Sequence, residues 1–254
     1  MSEQIILPKL GKKAARIDSR TLAFGNYSTV ELPAPPDAYD WSAKVPAWGM
    51  MANDRWGDCT CAAVAHQVMS WNADCGKIIT FSDAETLALY SAITGFDPAT
   101  GLNDNGANEL DVLNYWRKTG FNGHMLGAYA SLESSVLHAK QAIWLFGGAY
   151  LGIAMPTVWQ GASSWTLPEG PMQGNNAPGS WGGHAVILVG YDATYAYVVT
   201  WGQIMKMTWD AYRFYVDEAY ALFSNDFVTG DKPAPNGFCM SDLTSDLAII
   251  TNAA

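Results

Sequence analysis

In the first half of the chain, apolar residues recur at helical spacing. Residues 58–72, "DCTCAAVAHQVMSWN", place Cys61, Val64 and Val68 on one helical face, and Asp58 is a residue type that caps helix N-termini. Similar patterns, with good helix formers and with stop signals such as Lys followed by Gly, predict three more helices. These cover residues 83–94, 107–118 and 132–146.

The pattern changes after Pro156. A loop rich in Gly, Pro and Trp covers residues 157–183, and a long loop inside a compact domain is usually functional or disordered. Three strand-like runs follow, "HAVILVGYD", "YAYVVTWG" and the less regular "RFYVDEAYALF". A helical half followed by a strand-rich half predicts an α+β fold with two unlike parts, and the cleft between them is the natural binding site.

Composition indicates one domain with its own hydrophobic core, preceded by a flanking segment. The chain has 254 residues, of which 49% are hydrophobic and 15% charged, so it can bury a core of its own. The proline-rich stretch "LPAPPDAYDW" should be extended. We therefore expect residues 1–32 to form an N-terminal arm laid on the body, and residues 33–254 to form one domain.

Charge and hydropathy exclude several classes of partner. A net charge of −10 argues against a nucleic-acid partner, which would require a basic face. The apolar run at residues 142–156 is shorter than the roughly 20 residues of a membrane span, and we predict a helix end leading into a core strand. No signal-peptide pattern opens the sequence. We expect a soluble protein in the cytoplasm or another intracellular compartment, with no membrane partner and its oligomeric state open.

The cysteines do not form a recognisable framework. Their spacing is irregular, no C-x₂-C pair occurs and the four histidines are scattered. We therefore expect no disulfide framework, no metal site and no cofactor. The four cysteines are Cys59, Cys61, Cys75 and Cys239.

Cys59 is the candidate nucleophile. It directly follows the predicted N-cap, where unpaired backbone N–H groups and the helix dipole favour a thiolate. The competing interpretation is a small buried cysteine, which is the commoner case for any single cysteine. Cys61 fits that interpretation better, because it lies roughly 200° further round the helix, on the apolar face.

His184 is the candidate base. It opens a strand after two glycines, which allow another backbone to approach the imidazole closely. The alternative is a hydrogen-bonded structural histidine. His66 shares a helical face with Cys59 but lies about 10 Å along the axis, so we interpret it as structural. His124 and His138 have no motif around them.

Two segments resemble papain-like cysteine peptidases. "PPDAYDWSAKVPAWGMMANDRWGDCTCAA" resembles the start of that family's catalytic domain, with Cys59 at the nucleophile. Asn53 stands six residues earlier, where the family keeps its oxyanion-hole Gln. "GGHAVILVGYD" resembles the segment that carries the catalytic His, here His184. The resemblance runs in the right order over residues 35–223 and implies a papain-like fold.

Weaker matches imply the substrate-binding and orienting positions. "NGANELDVLNYW" resembles the family's Asn-Gly-Gly stretch, whose backbone pairs with substrate, and Gly106 is the matching position. Gly183 directly precedes His184, and the resemblance implies that it also contacts substrate. "YVVTWG" resembles the strand that bears the orienting Asn, followed by a shielding Trp, here Trp201.

The departures from the family pattern leave some roles open. The orienting Asn is missing, and either Thr200, on the matching strand, or Asp192 would have to replace it. Trp56 stands at the position of a cysteine that the family commonly uses in a disulfide. The loss of that disulfide fits a reducing compartment. The N-terminal arm is too short to resemble the family's inhibitory prosegment, so the sequence does not imply activation by processing.

The resemblance implies an amide hydrolase acting on peptides or other amides. A Cys59–His184 thiolate–imidazolium pair would form an acyl-enzyme, with Asn53 in the oxyanion hole. One alternative is a non-catalytic papain-like binding or structural protein, favoured by the missing Asn. Others are a cell-wall amidase or endopeptidase of the phage-lysin kind, and an acyl transferase using the same pair. A phage origin stays open.

Overall fold

The structure is a computed structural model that describes residues 7–19, 21–27, 32–224 and 226–227. Cys239 and the end of the predicted domain after residue 227 lie outside the described residues. Within these ranges the chain folds as five α-helices packed on an eight-stranded sheet, which confirms the α+β prediction. None of the described helices is long and apolar enough to cross a membrane.

The helices begin and end where local signals place them. At the second helix Ser82 and Glu85 form a reciprocal capping box, and Gly95 ends the helix in the left-handed conformation. The fourth helix starts four residues later than predicted, because the Ser135 hydroxyl caps it. The helices are α1 Cys59–Asp74, α2 Asp83–Thr94, α3 Glu109–Lys118, α4 Val136–Phe146 and α5 Trp209–Tyr215.

The strands form one sheet in the order β2-β8-β3-β5-β6-β7-β4, with β1 paired to β5. Every neighbouring pair is antiparallel except β4 and β7. The strands are β1 Tyr39–Asp40, β2 Ala128–Ser131, β3 Ala149–Met155, β4 Ser164–Trp165, β5 Gly182–Tyr191, β6 Tyr195–Thr200, β7 Gln203–Thr208 and β8 Val216–Phe223.

The run at residues 213–223, predicted as a strand, is part helix and part strand. Its first three residues complete α5, which the Thr208 hydroxyl caps by accepting the Ala211 N–H. The strand β7 just before it was not predicted. Its sequence QIMKMT buries only Met205 and Met207, and the exposed apolar residue Ile204 next to Met205 breaks the apolar–polar alternation.

Helix α1 is the centre of the core. Its residues are buried from Cys59 to Ala73, so it is enclosed on all sides rather than packed along one apolar face. Two tryptophans, Trp41 and Trp71, donate their indole N–H groups to carbonyls in the last turn of α4 at 2.6 and 2.8 Å. The Phe146 carbonyl, at the end of the helix, has no acceptor role within it, whereas the Ile143 carbonyl also accepts the N–H of Gly147, which ends the helix.

The first turn of α1 is tied to the sheet by a tyrosine. The Tyr150 hydroxyl in β3 donates to the Thr60 carbonyl at 2.9 Å, and both residues are buried. By contrast the hydroxyl of Tyr212 in α5 is buried and has no hydrogen-bond partner among the described residues. The two hydroxyls therefore make opposite contributions to stability.

Replacing Tyr150 by Phe should lower the free energy of unfolding by about 1 kcal/mol, because a buried hydrogen bond is lost. Tyr212→Phe should leave the free energy of unfolding unchanged or raise it, because it removes a buried hydroxyl that bonds to nothing. Urea denaturation of both variants measures the difference. Equal losses in the two variants would contradict this assignment.

Candidate active site

Cys59 is the first residue of α1 and lies on the wall of the cleft facing the sheet. Its side chain is almost fully buried. The sulfur accepts the backbone N–H of Ala185 in β5 at 3.4 Å, and the backbone N–H of Gly11 also bonds to it. Cys61, two residues on, is fully buried in the core and confirms the structural role predicted for it.

Asp58 occupies the N-cap position but its side chain does not cap the helix. The carboxylate instead accepts from Nδ2 of Asn53 at 3.2 Å. The same Nδ2 donates to the carbonyl of Trp56 at 3.2 Å, so both amide hydrogens of Asn53 have acceptors. Asn53 thus lies beside the first turn of α1, and burial raises the pKa of Asp58 well above its usual range.

His184 lies in β5 and is fully buried. Its Nε2 lies 2.7 Å from the hydroxyl of Thr200 at the end of the adjacent β6. Its Nδ1 has no hydrogen-bond partner among the described residues, so no such bond joins it to Cys59 here. The Trp201 ring stacks on the imidazole with a centroid separation of 4.6 Å.

Asp192 lies elsewhere. Its carboxylate accepts the N–H groups of Thr194 and Tyr195 and the Tyr197 hydroxyl, which stabilises the turn between β5 and β6. That turn is at the opposite end of β5 from His184. Of the two orienting residues considered from the sequence, only Thr200 contacts the imidazole.

The N-terminal arm lies in the cleft. The Gly11 carbonyl accepts from Ala107 N at 2.9 Å, and Lys13 N donates to the Ala107 carbonyl at 2.9 Å. On the opposite wall Lys12 N donates to the Gly183 carbonyl at 3.0 Å. The arm is therefore held from both sides by backbone hydrogen bonds, and it runs parallel to the chain at Ala107.

Glycines make this close approach possible. A Cβ atom on Gly11 would lie 1.9 Å from the Gly57 carbonyl oxygen, and one on Gly106 would lie 2.0 Å from the Gly11 oxygen. A Cβ on Gly183 would meet the Lys12 oxygen at 2.3 Å. Gly106 and Gly183 both line the cleft. On the helical wall the backbone that pairs with the arm is that of Ala107 rather than Gly106, and on the opposite wall it is that of Gly183.

Burial dominates the electrostatics of the pair in this state. It raises the pKa of Cys59 to about 12, although the N–H groups of Ala185 and Gly11 act in the opposite direction. It lowers the pKa of His184 to about 3. A neutral thiol and a neutral imidazole are therefore favoured while the arm fills the cleft. This corrects the expectation that the start of the helix by itself stabilises a thiolate at Cys59.

A cavity of about 430 Å³ continues the cleft on the Trp201 side. The rings of Trp159 and Trp165 are buried and stacked, with centroids 5.5 Å apart, and they anchor the long Gly/Pro/Trp loop to the body. The same two rings line the cavity, together with Trp181, Trp201 and the arm residues Leu7 and Pro8. The tryptophans therefore both hold the loop on the body and line the cavity.

The sequence did carry a signal for the arm's position. Residues 7–19, LPKLGKKAARIDS, contain four basic residues and one acidic residue in a chain whose net charge is −10. A basic segment in an acidic chain is expected to dock on the body. We did not predict the roles of Gly11, Lys12 and Ala107. In the described part of the chain, no group of three or more His, Cys, Asp or Glu side chains could hold a metal ion.

The fold is shared with several cysteine proteases of known structure. Xylellain, a cysteine protease from Xylella fastidiosa, superposes with a TM-score of 0.64 at 15% identity, covering 88% of this chain and 98% of xylellain. For proCathepsin B S9 from Trypanosoma congolense the TM-score is 0.57 at 12% identity, covering 85% of this chain and 86% of that one.

A third neighbour is Amb a 11, a ragweed pollen allergen and cysteine protease, in its proform. Its TM-score is 0.56 at 15% identity, covering 78% of this chain and 67% of that one. No protein-family model matches the sequence, and no curated protein matches it either. On these structural similarities, the chain has the papain-like cysteine peptidase fold.

Proposed function

We propose that the chain is a cysteine-dependent amide hydrolase of the peptidase type, with Cys59 as the nucleophile and His184 as the base. One observation carries this proposal. An extended peptide segment lies across Cys59, held by backbone hydrogen bonds from Ala107 and Gly183. A cleft that binds peptide backbone directly over a thiol, with an imidazole on the adjacent strand, is suited to acyl transfer from an amide.

The imidazole leaves one ring nitrogen available for this chemistry. With one proton on Nε2 and bonded to the Thr200 hydroxyl, the Nδ1 lone pair is free to take the Cys59 proton. The thiolate then attacks the amide carbonyl carbon, and His184 returns the proton to the leaving amine. Water attacks the resulting thioester with His184 as base, which releases the acid and regenerates the thiol.

The developing oxyanion requires donors beside Cys59. The backbone N–H of Cys59 lies at the first position of α1, where it has no acceptor within the helix. The side-chain amide of Asn53 is the second proposed donor. Its two hydrogens are engaged by Trp56 and Asp58, so one of these bonds must be released when substrate binds.

The arm fills the cleft, and this explains why the neutral forms of Cys59 and His184 are favoured. It is an N–H group of Gly11 that bonds to the sulfur, so the arm does not present a carbonyl carbon for attack. Displacing the arm would admit water to both side chains. Because burial is the main cause of both pKa shifts, hydration would lower the Cys59 pKa and raise the His184 pKa. We therefore propose that the reactive form has its arm displaced.

A non-catalytic papain-like binding or structural protein is the second candidate. The filled cleft and the absence of the family's orienting Asn favour it. The cell-wall amidase and acyl-transferase alternatives use the same pair of side chains, and they would be distinguished by substrate rather than by the site. The proposed partner is a peptide or another amide.

Substituting Gly11 by Val should displace the arm, because a Cβ atom there would overlap the Gly57 carbonyl. Iodoacetamide labelling of Cys59, followed by peptide mass mapping, should be at least about tenfold faster than in the wild type. Ile17→Ala is the control, since Ile17 is in the same arm and 99% exposed. Slow labelling of Cys59 in both variants would show that the arm is not the barrier.

The same measurement against pH tests the catalytic pair. In the Gly11→Val chain the labelling rate should stay high down to about pH 5, as expected for a thiolate stabilised by an imidazolium. Adding His184→Ala should move the rise in rate to the range of an ordinary thiol, with a pKa of about 8.5. A Cys59 that behaves as an ordinary thiol before His184 is replaced would favour the non-catalytic candidate.

Thr200 is tested as a positioning residue through the same pH profile. In the Gly11→Val chain, Thr200→Val removes the hydroxyl that accepts from the imidazole but keeps the side-chain shape. The Cys59 labelling rate at pH 6 should fall on the order of tenfold, because the imidazolium is less stabilised. Thr200→Ser should retain the rate. Equal profiles for the Val and Ser variants would exclude an orienting role for the hydroxyl.

A further inference from the structure

The cleft has an acidic side pocket that holds the Lys12 side chain. This side chain is completely buried, and its Nζ atom lies 2.9 Å from carboxylate oxygens of both Asp217 and Glu218 in β8. Gly152 in β3 makes room for the lysine stem, because a Cβ atom there would lie 2.0 Å from Lys12 Cε. The pocket is shaped for a long unbranched side chain that ends in a cation.

A third acidic side chain interacts electrostatically with Lys12. Glu109, the first residue of α3, is fully buried, and neither of its carboxylate oxygens has a hydrogen-bond partner among the described residues. Burial raises its pKa well above the usual range, and Lys12 acts in the opposite direction. Burial alone would lower the pKa of Lys12, but attraction to Glu109, Glu218 and Asp217 reverses this and raises it. An empty pocket would therefore leave the carboxylate of the buried Glu218 without its cation, and Glu109 without the charge that lowers its pKa.

The pocket lies one residue from the reacting sulfur. Gly11 bonds to Cys59 through its N–H, and Lys12 is the next residue along the arm. On the other side of the sulfur, Trp201 stacks on His184. Trp201 also lines the cavity of about 430 Å³ described above, together with Trp159, Trp165 and Trp181, and we call it the tryptophan cavity. Since His184 would protonate the leaving amine, the tryptophan cavity is on the leaving-group side. The acidic pocket is then on the acyl side.

We propose that the pocket formed by Glu109, Gly152, Asp217 and Glu218, here called the lysine pocket, selects substrates. The amide substrate would run in the opposite direction to the arm. It would carry a lysine side chain, or less favourably the longer arginine side chain, on the residue preceding the one whose carbonyl is attacked. This inference rests on the proposed hydrolase function. Lys12 then occupies the place of the substrate's own lysine, so that the arm and the substrate compete for one pocket.

Two peptide aldehydes test the selection. The probes are acetyl-Lys-Gly-aldehyde and acetyl-norleucine-Gly-aldehyde, applied to the full-length Gly11→Val chain that also carries Lys12→Met. The Cys59 sulfur adds to the aldehyde carbon, and the thiol proton ends on the oxygen, giving a reversible thiohemiacetal. The readout is the probe concentration that halves iodoacetamide labelling of Cys59.

We expect the lysine probe to protect Cys59 at a concentration at least about tenfold lower than the norleucine probe, because only its ammonium pairs with the carboxylates. Adding Glu218→Gln should reduce that ratio severalfold. Asp111→Asn is the matched control, since Asp111 also pairs with an arm residue, Arg16, but at the exposed surface. Equal protection by both probes would overturn the proposal. So would a Cys59 that labels rapidly and that neither probe protects.

A binding measurement separates this inference from the hydrolase proposal. A fluorescent peptide with the sequence of residues 7–19 is titrated with the full-length chain carrying Gly11→Val, Lys12→Met and Cys59→Ala, which needs no reactive thiol. Replacing Lys12 of the peptide by norleucine should weaken binding at least about tenfold. Norleucine at Lys13, which is exposed in the arm, should leave it unchanged.

The combined outcomes are distinct. If the peptide requires Lys12 while Cys59 of the opened chain labels as an ordinary thiol, the hydrolase proposal fails and the lysine pocket remains as a binding site. If norleucine at Lys12 and at Lys13 have equal effects, the pocket has no selectivity for a cation. In that case the inference is overturned whatever the reactivity of Cys59.

Discussion

The burial of α1 against the sheet is the constraint on which the rest of the structure depends. The helix is enclosed along its whole length except at its last residue, and its first residue is pressed against β5 so closely that the Cys59 sulfur accepts the Ala185 N–H. This contact brings the two halves of the chain together at the point where one supplies a thiol and the other an imidazole. The tie from Tyr150 to the first turn fixes the same end of the helix. The site therefore inherits its geometry from the packing of the core.

The same burial sets the chemistry of the closed state. A helix N-terminus favours an anion, yet the N–H groups around Cys59 do not offset the loss of water, and the thiol pKa rises rather than falls. His184 experiences the reverse effect for the same reason. The proposed pair can thus have both of its residues in place and still rest in the neutral form. Its protonation then depends on which segment fills the cleft.

The arm combines two kinds of interaction that are usually considered separately. Its backbone is held by hydrogen bonds that any peptide could make, from Ala107 and Gly183. Its basic side chains form ion pairs with acidic residues of the body. Lys12 does so in the lysine pocket, and Arg16 pairs with the exposed Asp111. Burying the lysine ammonium is favourable only because its ion pairs with Asp217 and Glu218 compensate for the lost hydration. The part of the arm nearest Cys59 is therefore the part most specifically matched to the body.

The sequence alone determined the fold class and most helix bounds, and it singled out Cys59 and His184 as the candidate pair, because these follow from local periodicity, from capping residues and from motifs around each residue. Helix α2 was predicted to the residue for that reason. Only the tertiary structure decided that Thr200 rather than Asp192 contacts the imidazole. Strand pairing places Thr200 beside β5, whereas the Asp192 carboxylate bonds within its own turn. It also decided that the arm fills the cleft and that Glu109, Asp217 and Glu218 converge on Lys12. These contacts join residues far apart in the sequence, and charge and solvation at a site depend on what the fold brings there, not on the neighbours along the chain.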